Sequence, residues 1–341
     1  MSAIKEIDYN FPVDIVYTWV DDMDPKWRHK KKEALKNNSI NIEANENCRF
    51  NNNDELLFSI RSIYNFCPWF NKIYIVTDEQ KPKWLDENNN DIIIIDHKII
   101  FNNIGLLPTF NSNVIESRIH HIPNLSENYI YLNDDFFIGR LLTKSFFFYS
   151  DGSPKIYMTK TKPFRKVLNR IRSKKLIKQK LYSRNLNFAR KIIYERHNKL
   201  ILNYPIHNPK AFCKSQVYKI EHYFKNIILK TLTHQFRHND GIYFLALCLF
   251  HMIAKGNKPI IMKPYRNKKI SYNFSFFRKN RDFIYLKLGI DPLFKIKYEL
   301  IKKFNPAFFC INDTNLSTNI DREKMVEFLT EYFPNRSIVE K

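Results

Sequence analysis

The first 140 residues repeat one pattern: a short apolar run that closes on an acid. Asp14–Val20 (DIVYTWV) ends on Asp21-Asp22, Lys72–Thr77 (KIYIVT) on Asp78, Asp91–Ile95 (DIIII) on Asp96, and Tyr129–Leu132 (YIYL) on Asn133-Asp134-Asp135. Short β-branched and aromatic runs of this kind predict strands. Between them the spacing predicts helices: Pro25 to about Leu35, Asp54 to about Phe66, a short one around Lys83–Leu85, and Asn113 to about His121. In the second of these, Leu56, Ile60 and Ile63 share a face, Asn53 is a candidate cap, and Cys67-Pro68 stops it. Strands alternating with helices predict an α/β fold built on a mostly parallel, doubly wound sheet. Ligands of such sheets bind beyond the carboxyl ends of the strands, where these acids gather. Asp96 serves equally as a helix cap or turn residue.

Beyond residue 150 the pattern changes. From Lys160 to Lys191 there is no acid, and Val167, Leu168, Ile171, Leu176, Ile177 and Leu181 interleave with Lys and Arg at roughly helical spacing. This reads either as a basic amphipathic helix facing an anion or as a solvated helix. His207 follows in the Pro-flanked loop NYPIHNP, then a helix from Ser215 to about Lys230, the polar HQFRHND (His234–Asp240), and an apolar helix over Ile242–Ala254. Lys258–Met262 and the run ending on Asn312-Asp313 read as strands, and Asp321–Phe333 as a last helix. The expected organisation is one catalytic domain over 8–341. Its parts are an α/β core (8–150), a basic helical insertion (151–205) and a helical region (206–341) that completes the site.

Composition narrows the partners. Apolar content of 44% and aromatic content of 15% in 341 residues exclude wholesale disorder. The net charge of +22 calls for an anionic partner: nucleic acid, a phosphate-rich substrate, an acidic polymer or a membrane surface. Five scattered cysteines without metal-ligand spacing read as reduced cytosolic thiols. The N-terminus lacks the apolar stretch of a secretory signal, and no apolar run approaches the roughly 20 residues of a membrane span. No internal repeat, Gly-rich phosphate loop, dinucleotide fingerprint or recognisable DNA- or RNA-binding motif is found.

Adjacent carboxylates such as Asp134-Asp135, flanked by apolar runs, are costly to bury without a metal, a cation or hydrogen bonds. Hard divalent cations prefer these ligands and reach a nucleotide's phosphates through them.

Four blocks in order carry a resemblance. They are DIVYTWVDDMD (Asp14–Asp24); Arg49 through IRSIYNFCPWFNKIYIVTDEQKPKWLD to LPTFNSNVIES, His121-Ile122-Pro123 and LNDDFF; His207-Asn208-Pro209 with HQFRHND; and FFCIND (Phe308–Asp313). In these the chain resembles the Stealth family, which includes bacterial capsular polysaccharide phosphotransferases and the animal Golgi N-acetylglucosamine-1-phosphotransferase. It departs from the family pattern at Asn51-Asn52, where a basic-acidic pair is usual, and in a short, unusually basic third block. The resemblance implies transfer of a sugar 1-phosphate from a nucleotide sugar to an acceptor hydroxyl, with a nucleoside monophosphate leaving. It implies a GT-A-like fold with helical additions, Mg²⁺ or Mn²⁺, and a glycan acceptor that is an anionic polymer or is assembled on lipid at the cytoplasmic face of the plasma membrane. In that reading Asp134 and Asp135 hold the metal, oriented by Asn133. His207 is a candidate base or phosphate ligand, Arg237 a phosphate clamp unless it pairs with Asp240, and Glu116 a base or acceptor contact. Asp21, Asp22, Arg49, Asn111, Ser112, His234, Asp240, Asn312 and Asp313 are candidate substrate contacts. Two other classes fit parts of the sequence: a metal-dependent glycosyltransferase, and, on charge alone, a nucleic-acid-binding protein.

Overall fold

A computed structural model describes residues 9–36, 42–86, 88–262, 282–291 and 294–341. Ten strands are present among them: β1 (Val13–Thr18), β2 (Ile73–Thr77), β3 (Ile92–Asp96), β4 (Asn128–Asn133), β5 (Phe136–Ile138), β6 (Tyr157–Met158), β7 (Lys210–Cys213), β8 (Ile260–Ile261), β9 (Phe283–Lys287) and β10 (Phe308–Asn312). The main sheet has the order β3-β2-β1-β4-β7. Its first four strands are parallel, with Ile15 opposite both Ile73 and Ile130. β7 closes the edge antiparallel to β4.

Strands covered on both faces have little room for polar residues, which explains the near-continuous apolar runs. Successive side chains of β1 enter opposite layers. Val13, Ile15 and Tyr17 join the layer of Leu56, Ile60 and Ile63 from the helix Glu55–Phe66. Val16 joins the layer built by the helices Leu181–His197 and Phe244–Ala254. The apolar helix is therefore core, as its composition requires.

A second sheet, β5-β10-β9, places the far end of the chain against the turn after β4. Ile311 N donates to the Asp135 carbonyl at 3.3 Å, so β10 and the acidic turn are tied directly. Gly139, at the end of β5, passes so close to Pro306 that a Cβ would lie 2.3 Å from its carbonyl oxygen.

Several predicted elements differ. Asp54, not Asn53, precedes the second helix, in a left-handed conformation; the Asn53 side chain instead donates to Glu55. Lys83–Leu85 is a turn that pairs with Glu340, because the C-terminal segment packs on it. The helix predicted over Asn113–His121 splits into Ser112–Glu116 and a 3₁₀ turn, Ile119–His121. The one predicted from Ser215 breaks at Phe224 into Lys214–Tyr223 and Lys225–Leu232. Region 206–341 is not simply helical, since it supplies β7, β8, β9 and β10. The basic stretch does form helices, Phe164–Ile171, Ser173–Leu176 and Leu181–His197.

Candidate functional site

The carboxyl ends of β1 and β4, the start of β7 and the end of β10 converge beside the turn Asn133–Asp135. Asp135 Oδ2 accepts from Cys310 Sγ at 3.2 Å and from Asn312 Nδ2 at 3.3 Å, and faces His207 Nε2 at 3.8 Å. Its other oxygen, Oδ1, is buried and has no hydrogen-bond partner among the described residues. Burial raises the Asp134 carboxyl well above the carboxylate range, and the neighbouring Asp135 and Glu55 raise it further. Glu55 is itself buried and pushed up to about 7 by desolvation, against hydrogen bonds from the Asn53 side chain (2.8 Å) and backbone (2.7 Å). Burial thus opposes the charge of Asp134 and Glu55, and beside them one Asp135 oxygen is left without a hydrogen-bond partner among the described residues. This is the environment a divalent cation relieves, and Asp134 and Asp135 offer the oxygens it prefers. Asp135, His207 and Cys310 present three possible ligand atoms within 4.8 Å of one another.

The His207 imidazole is held edge-on by Phe136 and Tyr285, at ring-centroid distances of 4.7 and 5.5 Å. Its loop precedes β7, whose Lys210 is buried.

A second group lies between β4 and the loop before the helix Ser112–Glu116. Tyr131 OH is within 2.9 Å of Thr18 Oγ1 and donates toward Asn133 Oδ1 at 2.8 Å and Glu116 Oε1 at 3.3 Å. Glu116 is 6% exposed, so it is no solvated helix position; its Oε2 has no hydrogen-bond partner among the described residues. Burial pushes its carboxyl up to about 7 although Arg237 and Lys210 pull the other way. Arg237 Nη2 donates to Ser112 Oγ at 2.5 Å. Asp240 pairs instead with Arg184 and Lys230, at 3.8 Å each, so it leaves Arg237 free of that partner. Asn111 is buried; it caps the helix Ser112–Glu116 and ties the His234 and Phe236 carbonyls, which sets HQFRHND against this loop.

The remaining candidates divide. Asn312 donates to Asp135, whereas the Asn133 side chain accepts from Tyr131 of the second group. Asp313 is engaged by Arg322 (3.0 Å) and Asn51 (2.9 Å), and Arg49 by the Glu43 carbonyl and Glu46. Asp21 turns back to the Met23 amide, while Asp22 borders a cleft of about 330 Å³ with Trp27, Arg28, Lys31 and Phe50. His234 stacks on His238 at 4.2 Å. Asp78 pairs with Lys30, and Asp96 caps the helix His97–Phe101, as its position allowed.

Sequence reading missed Glu55, Tyr131, Lys210 and Cys310. Only Lys210 left a signal: a lone charge inside the short apolar run after His207-Asn208-Pro209. A second convergence, His120, His121 and Glu221, lies outside this group. Both imidazoles contact one carboxylate oxygen at 2.8 Å while Arg118 engages the other, so it reads as a closed hydrogen-bonded clamp.

Comparison with known proteins assigns this framework. Residues 11–39 match the model of Stealth protein CR1, conserved region 1, and residues 49–156 that of Stealth protein CR2, conserved region 2. A capsular polysaccharide phosphotransferase, fcs1 of Haemophilus influenzae, is 35% identical over 90% of this chain and 80% of its own. The chain belongs to the Stealth family. A second relative, the capsular polysaccharide phosphotransferase of Neisseria meningitidis serogroup B, is 32% identical over 96% of this chain and 83% of its own. Among solved structures, the galactosyltransferase LgtC in complex with donor and acceptor sugar analogues aligns over 93% of this Stealth chain and 95% of its own. The identity there is 10% and the TM-score 0.40.

Proposed function

We propose that this Stealth protein transfers a sugar 1-phosphate from a nucleotide sugar to a hydroxyl of an acceptor glycan, forming phosphodiester links in a cell-surface polysaccharide. The observation that carries the reading is the Asp134–Asp135 turn with a bare buried carboxylate oxygen and His207 beside it, in a chain whose relatives are named phosphotransferases.

In this mechanism the acceptor oxygen forms a bond to the phosphorus next to the sugar, and the bond from that phosphorus to the nucleoside monophosphate breaks. The acceptor proton passes to His207, which Asp135 orients and whose charge Asp135 then stabilises. Asp134 and Asp135 would hold a divalent cation, Mg²⁺ or Mn²⁺, which when bound neutralises charge on the diphosphate. Arg237 offers a planar fork to a phosphate, with Ser112 fixing one arm. Glu116 Oε2, without a hydrogen-bond partner among the described residues, receives a sugar hydroxyl. Phosphoryl transfer depends chiefly on such positioning and charge stabilisation.

The basic helices support a peripheral location. Val167, Ile171, Leu176 and Leu181 are buried, while Phe164 and Ile177 are 52% and 62% exposed among lysines and arginines. No helix among the described residues is long and apolar enough to cross a membrane. We place this face against an anionic surface, either lipid headgroups or the polymer itself.

The test is incubation with a panel of nucleotide sugars, Mg²⁺ and acceptor oligosaccharide, with products weighed by mass spectrometry. Nucleoside monophosphate and a phosphodiester-linked product are expected. Nucleoside diphosphate with a plain glycoside would make the protein a glycosyltransferase.

A further inference from the structure

Lys210 carries an inference of its own. On β7 it stands opposite Tyr131 and is 6% exposed. It forms no ion pair among the described residues; its ammonium instead donates to the Asn208 carbonyl at 2.9 Å and the Ile206 carbonyl at 3.4 Å. Those carbonyls belong to the residues on either side of His207. The amine also lies 5.9 Å from the centre of the Phe136 ring, the same ring that meets the His207 imidazole edge-on. A buried lysine is costly, and burial pushes this one down to about 8, opposed by Glu116, Cys310 and Asp135. An apolar residue would serve the strand better. The cost is understandable if the ammonium shapes the loop.

We propose that Lys210 is a positioning residue for His207: its ammonium gathers the two carbonyls that flank His207 and so fixes the imidazole against Asp135. This rests on the reading above that His207 acts at the transferred phosphoryl group. The loop has three constraints with distinct roles. Pro205 bridges to Met158 on one side, Pro209 restricts the backbone on the other, and Lys210 closes the turn between them. Misplacement of a reacting group by about 1 Å costs on the order of 100-fold in rate.

The experiment is a double-mutant cycle on the full chain with Lys210→Met, His207→Ala and their combination, alongside Lys210→Gln, which keeps a donor without the charge. Lys210→Met is expected to lower kcat by about 100-fold while the KM for the nucleotide sugar moves less than about threefold. In the His207→Ala background it should cost less than about threefold more, because its effect passes through the imidazole. Lys210→Gln should recover part of the loss. Full multiplication of the two losses would overturn the proposal. A readout independent of turnover is the His207 ring signal in protein labelled with ¹³C at histidine Cε1. In folded Lys210→Gln it should shift or broaden while the remaining histidines stay in place. An unmoved His207 signal overturns the clamp even if Lys210→Met does not fold. Wild-type turnover in His207→Ala would instead refute the catalytic role of His207, and the ring signal would still decide whether Lys210 positions it.

Discussion

Asp135 illustrates how a residue's surroundings define its use. One oxygen has three polar neighbours, and the other is buried with no hydrogen-bond partner among the described residues. Asp135→Asn removes the charge at nearly constant volume, so turnover should fall at least 100-fold, as for loss of a transition-state group. The melting temperature should barely move, since the side-chain volume is nearly unchanged; wild-type turnover at saturating Mg²⁺ would dismiss Asp135 from the reaction. Glu116 allows a second prediction. Its carboxyl binds its proton more tightly in the folded state, about 7 against 4.5, so this group's contribution to stability is full below about pH 4.5 and declines as pH rises toward 7. Glu116→Gln should therefore raise the melting temperature at pH 8 by roughly 2 °C, the shift of about 1 kcal/mol in a chain of this size, and much less at pH 5. Thermal unfolding at both pH values checks it; a larger gain at pH 5 would contradict the assigned cause. Arg237→Lys keeps the charge and loses the fork, so it should stay folded and lose most of its turnover. Full activity there would move Arg237 out of the site, and with Asp240 paired elsewhere no ion pair between the two accounts for its position.

At the scale of elements, the acid-terminated parallel strands were legible because burial on both faces leaves apolar runs, and the chain must turn polar where they end. Asp134, Asp135 and Asn312 follow from that rule alone. β7 was not legible: it is four residues long, begins with a lysine, and becomes a strand only because β4 offers an open edge. The lone charge of Lys210 gave no hint of the strand it begins, and Glu55 looked like an ordinary residue of a first helical turn. The lysines and arginines of the basic stretch were read uniformly, yet one of them is a core residue. Arg190 is fully buried in the helix Leu181–His197, 4.2 Å from the Tyr204 ring, and donates to the Ile201 and Asn203 carbonyls at 2.9 Å each. It ties that helix to the approach to His207. Arg190→Met should destabilise by about 2–4 kcal/mol, since two buried carbonyls lose their donors. Lys174→Ala and Lys178→Ala should change stability by less than about 0.5 kcal/mol. Chemical denaturation of the three variants separates a structural arginine from a basic surface; equal, small effects would refute the distinction.

The whole molecule joins a compact acidic centre to a net charge of +22. That excess suits a diphosphate donor, an anionic acceptor and a charged surface alike, so charge alone did not define the reaction. Binding to vesicles with anionic lipid should fall as salt rises, with about 1 kcal/mol per Lys or Arg near the surface. Equal binding to neutral vesicles would remove the electrostatic account. The proposed reaction is defined by which bond breaks. A nucleotide sugar labelled in the phosphate next to the sugar answers that directly, with wild type and Asp135→Asn compared on the same acceptor. The account predicts that wild type carries label and sugar together into the glycan, one phosphate per sugar, and that Asp135→Asn carries neither. Sugar in the glycan with the label left on the nucleotide would contradict it.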